Sequence, residues 1–133
     1  MSTQLLLDEK SISISYDHNR NWLIVDWKGF QTVELIKFGG AKMHEYLVKY
    51  SCQKVLNDNT NVTGLWSGAA EWTGTVWFPL MVRSGLKYFA WVYSPSIFSK
   101  LSTEESLENF SDKTIVKTFD DINSASSWLS ECL

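Results

Sequence analysis

Histidine, cysteine, proline and clustered positive charge are all scarce in this sequence, and each shortage narrows what the chain does. Cysteine occurs twice, at Cys52 and Cys132, far apart and in no CxxC arrangement. That spacing offers no disulfide framework and fits a reducing compartment. Histidine also occurs only twice. His18 falls in a run of turn formers and His44 in a helical pattern beside Glu45, and both read as solvated side chains. No HxxxH, CxxC or calcium-loop spacing is present, so no metal site is assigned. Phosphate-cradling GxGxxG and GxxxxGKS/T patterns are missing as well: Gly39-Gly40 falls inside a helix, and the stretch from Gly64 to Gly68 has no lysine. No cofactor is expected. A nucleophile at Cys52 would need a histidine brought to it by the fold, and a buried structural thiol is the simpler expectation. No catalytic residue is assigned.

The charge balance removes two partner classes. Twelve Lys and Arg stand against fifteen Asp and Glu, a net charge of −3, and no basic run occurs. Nucleic acid and anionic membrane surfaces both select clustered positive charge. Nor does any stretch approach the roughly 18 consecutive apolar residues of a membrane span. The opening residues from Met1 to Lys10 have no basic segment, and their apolar run ends after Leu5 to Leu7. They do not read as a signal peptide, so a cytoplasmic location is expected. On that expectation the sequons at Asn61 and Asn109 carry no meaning.

What the sequence has in excess is aromatic side chains: seven Trp, five Tyr and seven Phe among 133 residues. The length suits one domain. With 44% hydrophobic and 20% charged residues, the composition is that of a globular chain. Ser11 to Tyr16 alternates with period two, and Trp22 to Trp27 follows after the turn formers Asp17 to Asn21, so the spacing predicts a β-hairpin. Val33, Ile36, Gly40, Met43, Leu47 and Tyr50 recur at helical spacing behind an N-cap at Thr32. Lys54 to Asp58 reads as a short strand ending in the polar run Asn57 to Asn61. A second helix is predicted from about Ala69 to Arg83, capped by Ser67, broken or kinked at Pro79 and ended by Gly85. Leu86 to Tyr93 is apolar on both faces, as a central strand of a helix-covered sheet is. Ser94-Pro95 reads as an N-cap with proline at the first helical position, and Ser102 to Glu105 as a capping box that restarts the helix. Thr114 to Phe119 reads as an edge strand, and Asp120 as the cap of a last helix. The order β-β-α-β-α-β-α-β-α gives an α/β fold with a mostly parallel sheet of about five strands.

In such sheets ligands favour the crevice beyond the strand carboxyl ends. Asp58, Asn59, Trp66, Ser67, Glu71, Trp72, Tyr93 and Ser94 fall there and are the candidate ligand- or partner-binding residues. A plain structural reading competes: Asn and Asp after a strand bond their own backbone, and Ser67 caps. The tryptophans are the second clue. Trp66, Trp72 and Trp77 are six and five residues apart, and at about 100° per residue Trp72 and Trp77 fall on different faces of an α-helix. They therefore belong either to an aromatic core or to a groove or interface, with homodimerisation through the second helix as one form of it.

The element order, with Lys54-Val-Leu-Asn-Asp58, Trp77-Phe-Pro79, Gly85 to Tyr93, and Phe119-Asp-Asp121 with Trp128-Leu129, resembles the uncharacterised bacterial relatives of the STAS domain, the fold of the sporulation anti-anti-sigma factor. The resemblance covers nearly the whole chain. It implies a cytoplasmic regulatory domain that acts by binding a protein partner. In studied members a phosphorylated serine follows an Asp at the start of the helix after the third strand. Here Asp58 is followed by Asn-Thr-Asn, and Ser67 is the nearest positional stand-in, with Thr60 and Thr63 as rivals. The expectation is a non-enzymatic protein-interaction module. The alternative is a small-molecule or lipid-binding domain with a pocket at Trp66, Trp72 and Tyr93, and a cofactor-free hydrolase ranks third.

Overall fold

A computed structural model describes residues 3–110, 112 and 115–132. The prediction of an α/β fold holds, with a sheet of six strands rather than five. The strands are β1 (Thr3–Asp8), β2 (Ile12–Asp17), β3 (Trp22–Phe30), β4 (Lys54–Thr63), β5 (Tyr88–Val92) and β6 (Val116–Phe119). They lie side by side in chain order, β1-β2-β3 antiparallel and β3-β4-β5-β6 parallel. The added strand is β1. Its residues are exposed or half-buried, so no alternation of burial marks it in the sequence. It pairs with β2 through a register shift between Leu5 and Leu7. Thr114 lies outside the described residues, and β6 begins at Val116.

Among the described residues, three helical stretches connect strands and a fourth follows β6. Helix α1 (Val33–Lys49) starts as predicted, with the Thr32 hydroxyl accepting from Leu35 N at 3.1 Å. Helix α2 is a composite: a 3-10 turn at Ser67–Ala69, an α turn at Ala70–Trp72, a wide π turn at Thr73–Trp77 and an α segment at Phe78–Arg83. The disturbance expected at Pro79 falls ahead of it instead: the π turn is closed by Phe78 N donating to Thr73 O, and Pro79 stands in the first turn of the α segment that follows. Gly85 ends the run with φ +114°, a region glycine enters freely. Helix α3 (Ile97–Glu108) is unbroken, so Ser102 to Glu105 restarts nothing: the Ser102 hydroxyl reaches back to Phe98 O inside the helix. Ser94 does not cap α3 either. Ser96 takes that position, and Ser94 Oγ instead donates to Val62 O at 2.6 Å and accepts from Ser96 N. Helix α4 (Ile122–Glu131) is capped by Asp121 rather than Asp120, through Ser124 N at 2.8 Å. At its far end Lys54 Nζ bonds the carbonyls of Leu129 and Cys132, both at 2.7 Å. None of the described helices is long and apolar enough to cross a membrane.

The sheet separates two cores. On one face α1 and α2 pack over Ile12, Ile14, Leu23, Val25, Val55 and Phe89. On the other, among the described residues, α4 covers Trp22, Leu56, Ala90 and Val92 with Ala125 and Leu129. Strand β5 is buried on both faces, Phe89 and Trp91 facing one core, Ala90 and Val92 the other, as its sequence predicts.

Helix α3 packs against α2 mainly through small polar side chains, with Leu107 half-buried against the core and Phe110, just past the helix, stacked on Phe78. Its buried face is Ser99, Ser102, Thr103 and Ser106, each fully buried. Three of these hydroxyls donate to backbone carbonyls one turn back, which satisfies them without water. So small a face lets the two backbones approach at Gly74, where a Cβ would stand 2.4 Å from Ser106 O and 2.7 Å from Asn109 Cβ. An unobstructed Gly→Ala change in a helix gains about 1 kcal/mol. Here the obstruction is backbone, which cannot yield cheaply, so the sign reverses. Gly74→Ala is expected to lower stability by about 1–3 kcal/mol, read as a lower urea midpoint at an unchanged slope.

Candidate functional site

Between the sheet and the helices α1 and α2 lies a cavity of about 50 Å³ walled by five of the seven tryptophans: Trp27, Trp66, Trp72, Trp77 and Trp91. It sits toward the carboxyl ends of β3, β4 and β5, the end of the strands where a ligand crevice is expected. The strands run in chain order without a reversal, so the space opens between sheet and helix layer instead of at a topological switch point.

Each wall has a local cause. On β4, Asn57, Asn59 and Val62 all line the cavity, at spacings of two and then three. The odd residue is absorbed by a bulge: Asp26 and Lys28 of β3 pair with Asp58 and Asn61 of β4. Asp58 holds the bulge by accepting from Thr60 N at 2.9 Å. The polar run Asn57 to Asn61, read above as the end of a short strand, is thus ladder: β4 continues to Thr63. On α1, the paired glycines admit rings. A Cβ on Gly39 would meet the Trp27 ring at 2.4 Å, and one on Gly40 would meet Trp77 Nε1 at 2.9 Å and the Trp72 ring at 3.3 Å. Trp77 Nε1 donates to Gly40 O at 2.9 Å. On α2, the π turn places Trp72, Thr73 and Trp77 together on the cavity wall. The α-helical angle that sets Trp72 and Trp77 apart does not apply, because the extra residue in the turn swings Trp77 round to the same side.

The polar groups are arranged by a short relay. A tryptophan indole only donates, so Trp27 Nε1, 2.9 Å from Asn57 Oδ1, fixes that amide's orientation. Asn57 Nδ2 then donates to Asn59 Oδ1 at 3.2 Å. No described hydrogen bond engages Asn59 Nδ2. Gln31 is fixed in the same way: its Nε2 donates to the carbonyls of Ser11 and Lys28, at 3.2 and 2.9 Å. Its Oε1 is buried without a partner, and so is Trp91 Nε1. Trp66 Nε1, by contrast, is satisfied by Ser99 Oγ at 3.1 Å, which ties α3 to the wall. No lining residue carries a carboxylate, amine, imidazole or thiol.

Of the eight residues singled out in the sequence, Asn59, Trp66 and Trp72 meet at this cavity. Asp58 is occupied at the bulge, Glu71 is exposed, Tyr93 lies under Lys100 Nζ at 4.5 Å, and Ser94 ties the β5–α3 loop to β4. The backbone of Ser67 opens α2, and its side chain lies outside the described ones. Trp77, which the sequence assigned to a core or a groove, lines the cavity too, while Trp27, Gln31, Asn57 and Trp91 were not singled out as site residues. The legible signal for Asn57 was its period-two step from Val55, which puts an amide on the apolar face of β4.

The chain matches no model of a known protein family and no curated protein sequence.

Cys52 lies apart from the cavity and is 1% exposed. Burial pushes its thiol up to about 11. At neutral pH it holds its proton, which removes it as a nucleophile. Below the thiol's ordinary value of 9.0 the folded and unfolded chains are both protonated. Between there and about 11 only the unfolded chain gives the proton up, so stability falls as pH rises through that window and levels off above it. Burial also raises the Tyr16 hydroxyl, which adds to the loss at the alkaline end. Urea midpoints measured from pH 8 to pH 11 are expected to decline, and less steeply in Cys52→Ala. A thiol reagent at neutral pH should reach only Cys132, the less buried cysteine, until the chain is unfolded.

Proposed function

We propose that this chain is a non-enzymatic small-molecule-binding domain whose ligand occupies the tryptophan-walled cavity. The observation that carries this reading is a pair of buried, unpartnered polar atoms in one wall, Gln31 Oε1 and Trp91 Nε1. Each costs about 1–3 kcal/mol when left unmet, and a bound molecule recovers that energy by meeting them. The absence of titratable side chains from the wall supports binding over proton transfer or covalent catalysis. The size supports a small molecule over a lipid, since a cavity of about 150 Å³ takes a benzene ring, three times the space available here.

One observation favours a second reading, a regulatory domain of the STAS-like kind that docks a protein partner. Helix α3 is inverted: hydroxyls face inward, while Ile97, Phe98 and Leu101 are each more than half exposed. Contiguous apolar surface of this kind marks interaction sites. The homodimer through α2 and the Ser67 phosphoswitch expected from the sequence belong to this reading. The two readings are compatible, since Ser99 and Ser102 of α3 bond Trp66 in the cavity wall.

Trp72 is the least buried of the five tryptophans. Trp72→Ala is therefore expected to leave the fold intact and weaken ligand binding at least tenfold. Native mass spectrometry of the full chain from cells should show a non-covalent adduct, lost on denaturation and reduced in the variant. A bare mass in both would overturn the reading.

A further inference from the structure

The polarity of the wall specifies the ligand further, on the premise that the cavity is a ligand site. Three side chains of the wall hold polar atoms outside the described hydrogen bonds, Gln31 Oε1 and Trp91 Nε1, both buried without a partner, and Asn59 Nδ2, and all three residues are 4% exposed or less. Gln31 has spent both amide hydrogens on the carbonyls of Ser11 and Lys28, so what it offers is an acceptor, Oε1. Trp91 offers only a donor. Asn59 offers a donor too, because the relay from Trp27 through Asn57 uses its Oδ1. None of these assignments can flip without breaking a bond, since each is anchored at a group that only donates or only accepts.

A wall with an unmet acceptor and two unmet donors selects against ions of either sign. A carboxylate meets the donors but faces Gln31 Oε1 with a second negative oxygen, and no lysine, arginine or histidine lines the site to offset its desolvation. An alkylammonium is attracted by tryptophan faces, but it leaves the N–H groups of Trp91 and Asn59 unmet and turns their positive ends toward a positive charge. A hydrocarbon leaves all three unmet. We infer that the cavity takes a small uncharged molecule whose polar group both accepts and donates a hydrogen bond, of the amide or alcohol type, with its apolar remainder against the tryptophan rings. Trp91 and Asn59 donate to the ligand oxygen, and the ligand's N–H or O–H donates to Gln31 Oε1.

Small probes of contrasting polarity test this on the unmodified protein. The indole N–H resonance of Trp91 is followed by nuclear magnetic resonance while acetamide, 2-propanol, acetone, acetate and tetramethylammonium are titrated separately. A new hydrogen bond deshields that proton, so acetamide and 2-propanol are expected to shift it downfield saturably, with dissociation constants in roughly the millimolar range for such small probes. Acetone, which accepts but does not donate, should bind about tenfold more weakly, and acetate should not bind. Gln31→Leu should erase the preference of acetamide over acetone. The wild-type series decides the question even if that variant fails to fold. Saturable binding of tetramethylammonium or acetate in preference to acetamide would overturn the inference while leaving a ligand site in place. No response to any probe would mean that water alone fills the cavity, and would overturn the ligand-binding reading with it.

Discussion

Two missing side chains, at Gly39 and Gly40, are the constraint on which the rest of this structure depends. Helix α1 lies against the sheet and α2 closely enough that the rings of Trp27 and Trp77 occupy the space where Cβ atoms would stand. The glycines weaken α1 locally, each by about 1 kcal/mol relative to alanine. What they permit is a helix that serves as a flat wall, with a bare carbonyl at Gly40 available to the Trp77 indole. Rigid, two-torsion aromatic side chains then set the depth of the layer, and Asn57 and Gln31 are oriented by bonds to groups whose polarity admits one arrangement.

The same economy of side chains appears where α3 meets α2. Gly74 and the buried hydroxyls of α3 bring two backbones together, and Ile97, Phe98 and Leu101 of α3 are left facing out. A helix so placed gains little from hydrophobic burial. Its position rests on hydrogen bonds, among them those from Trp66 to Ser99 and Ser102. One side of α3 is therefore tied to a residue of the cavity wall, and the other exposes apolar side chains.

Much of the frame was legible in the sequence, because it rests on period and on chain punctuation. The hairpin, the Thr32 cap, the two-sided burial of β5 and the stop at Gly85 all follow from such signals. The misreadings share another cause. The run from Asn57 to Asn61 has the composition of a turn, yet pairing with β3 and a bulge hold it in the ladder. Ser102 and Glu105 have the spacing of a capping box, but their helix was already under way, and the hydroxyl was needed inward. Trp72 and Trp77 were assigned to different faces by an angle that assumes α geometry, and the π turn is invisible to any fixed period. The tertiary partner decided each case. Of the site itself, Asn59, Trp66 and Trp72 could be located in advance. Gln31 could not, because its role follows from two carbonyls, on β2's leading edge and on β3, that only the fold brings near.

The strand order carries a consequence for how the chain comes together in time. Every strand pairs with its neighbours in sequence, so during synthesis each new strand finds its template already laid down. The tryptophan-walled side can therefore assemble progressively, as β4, α2 and β5 leave the ribosome. The opposite side has no such luxury. Among the described elements it is α4 that covers Trp22, Leu56, Ala90 and Val92, and α4 follows all six strands in the chain. Until α4 emerges, that smaller core faces solvent.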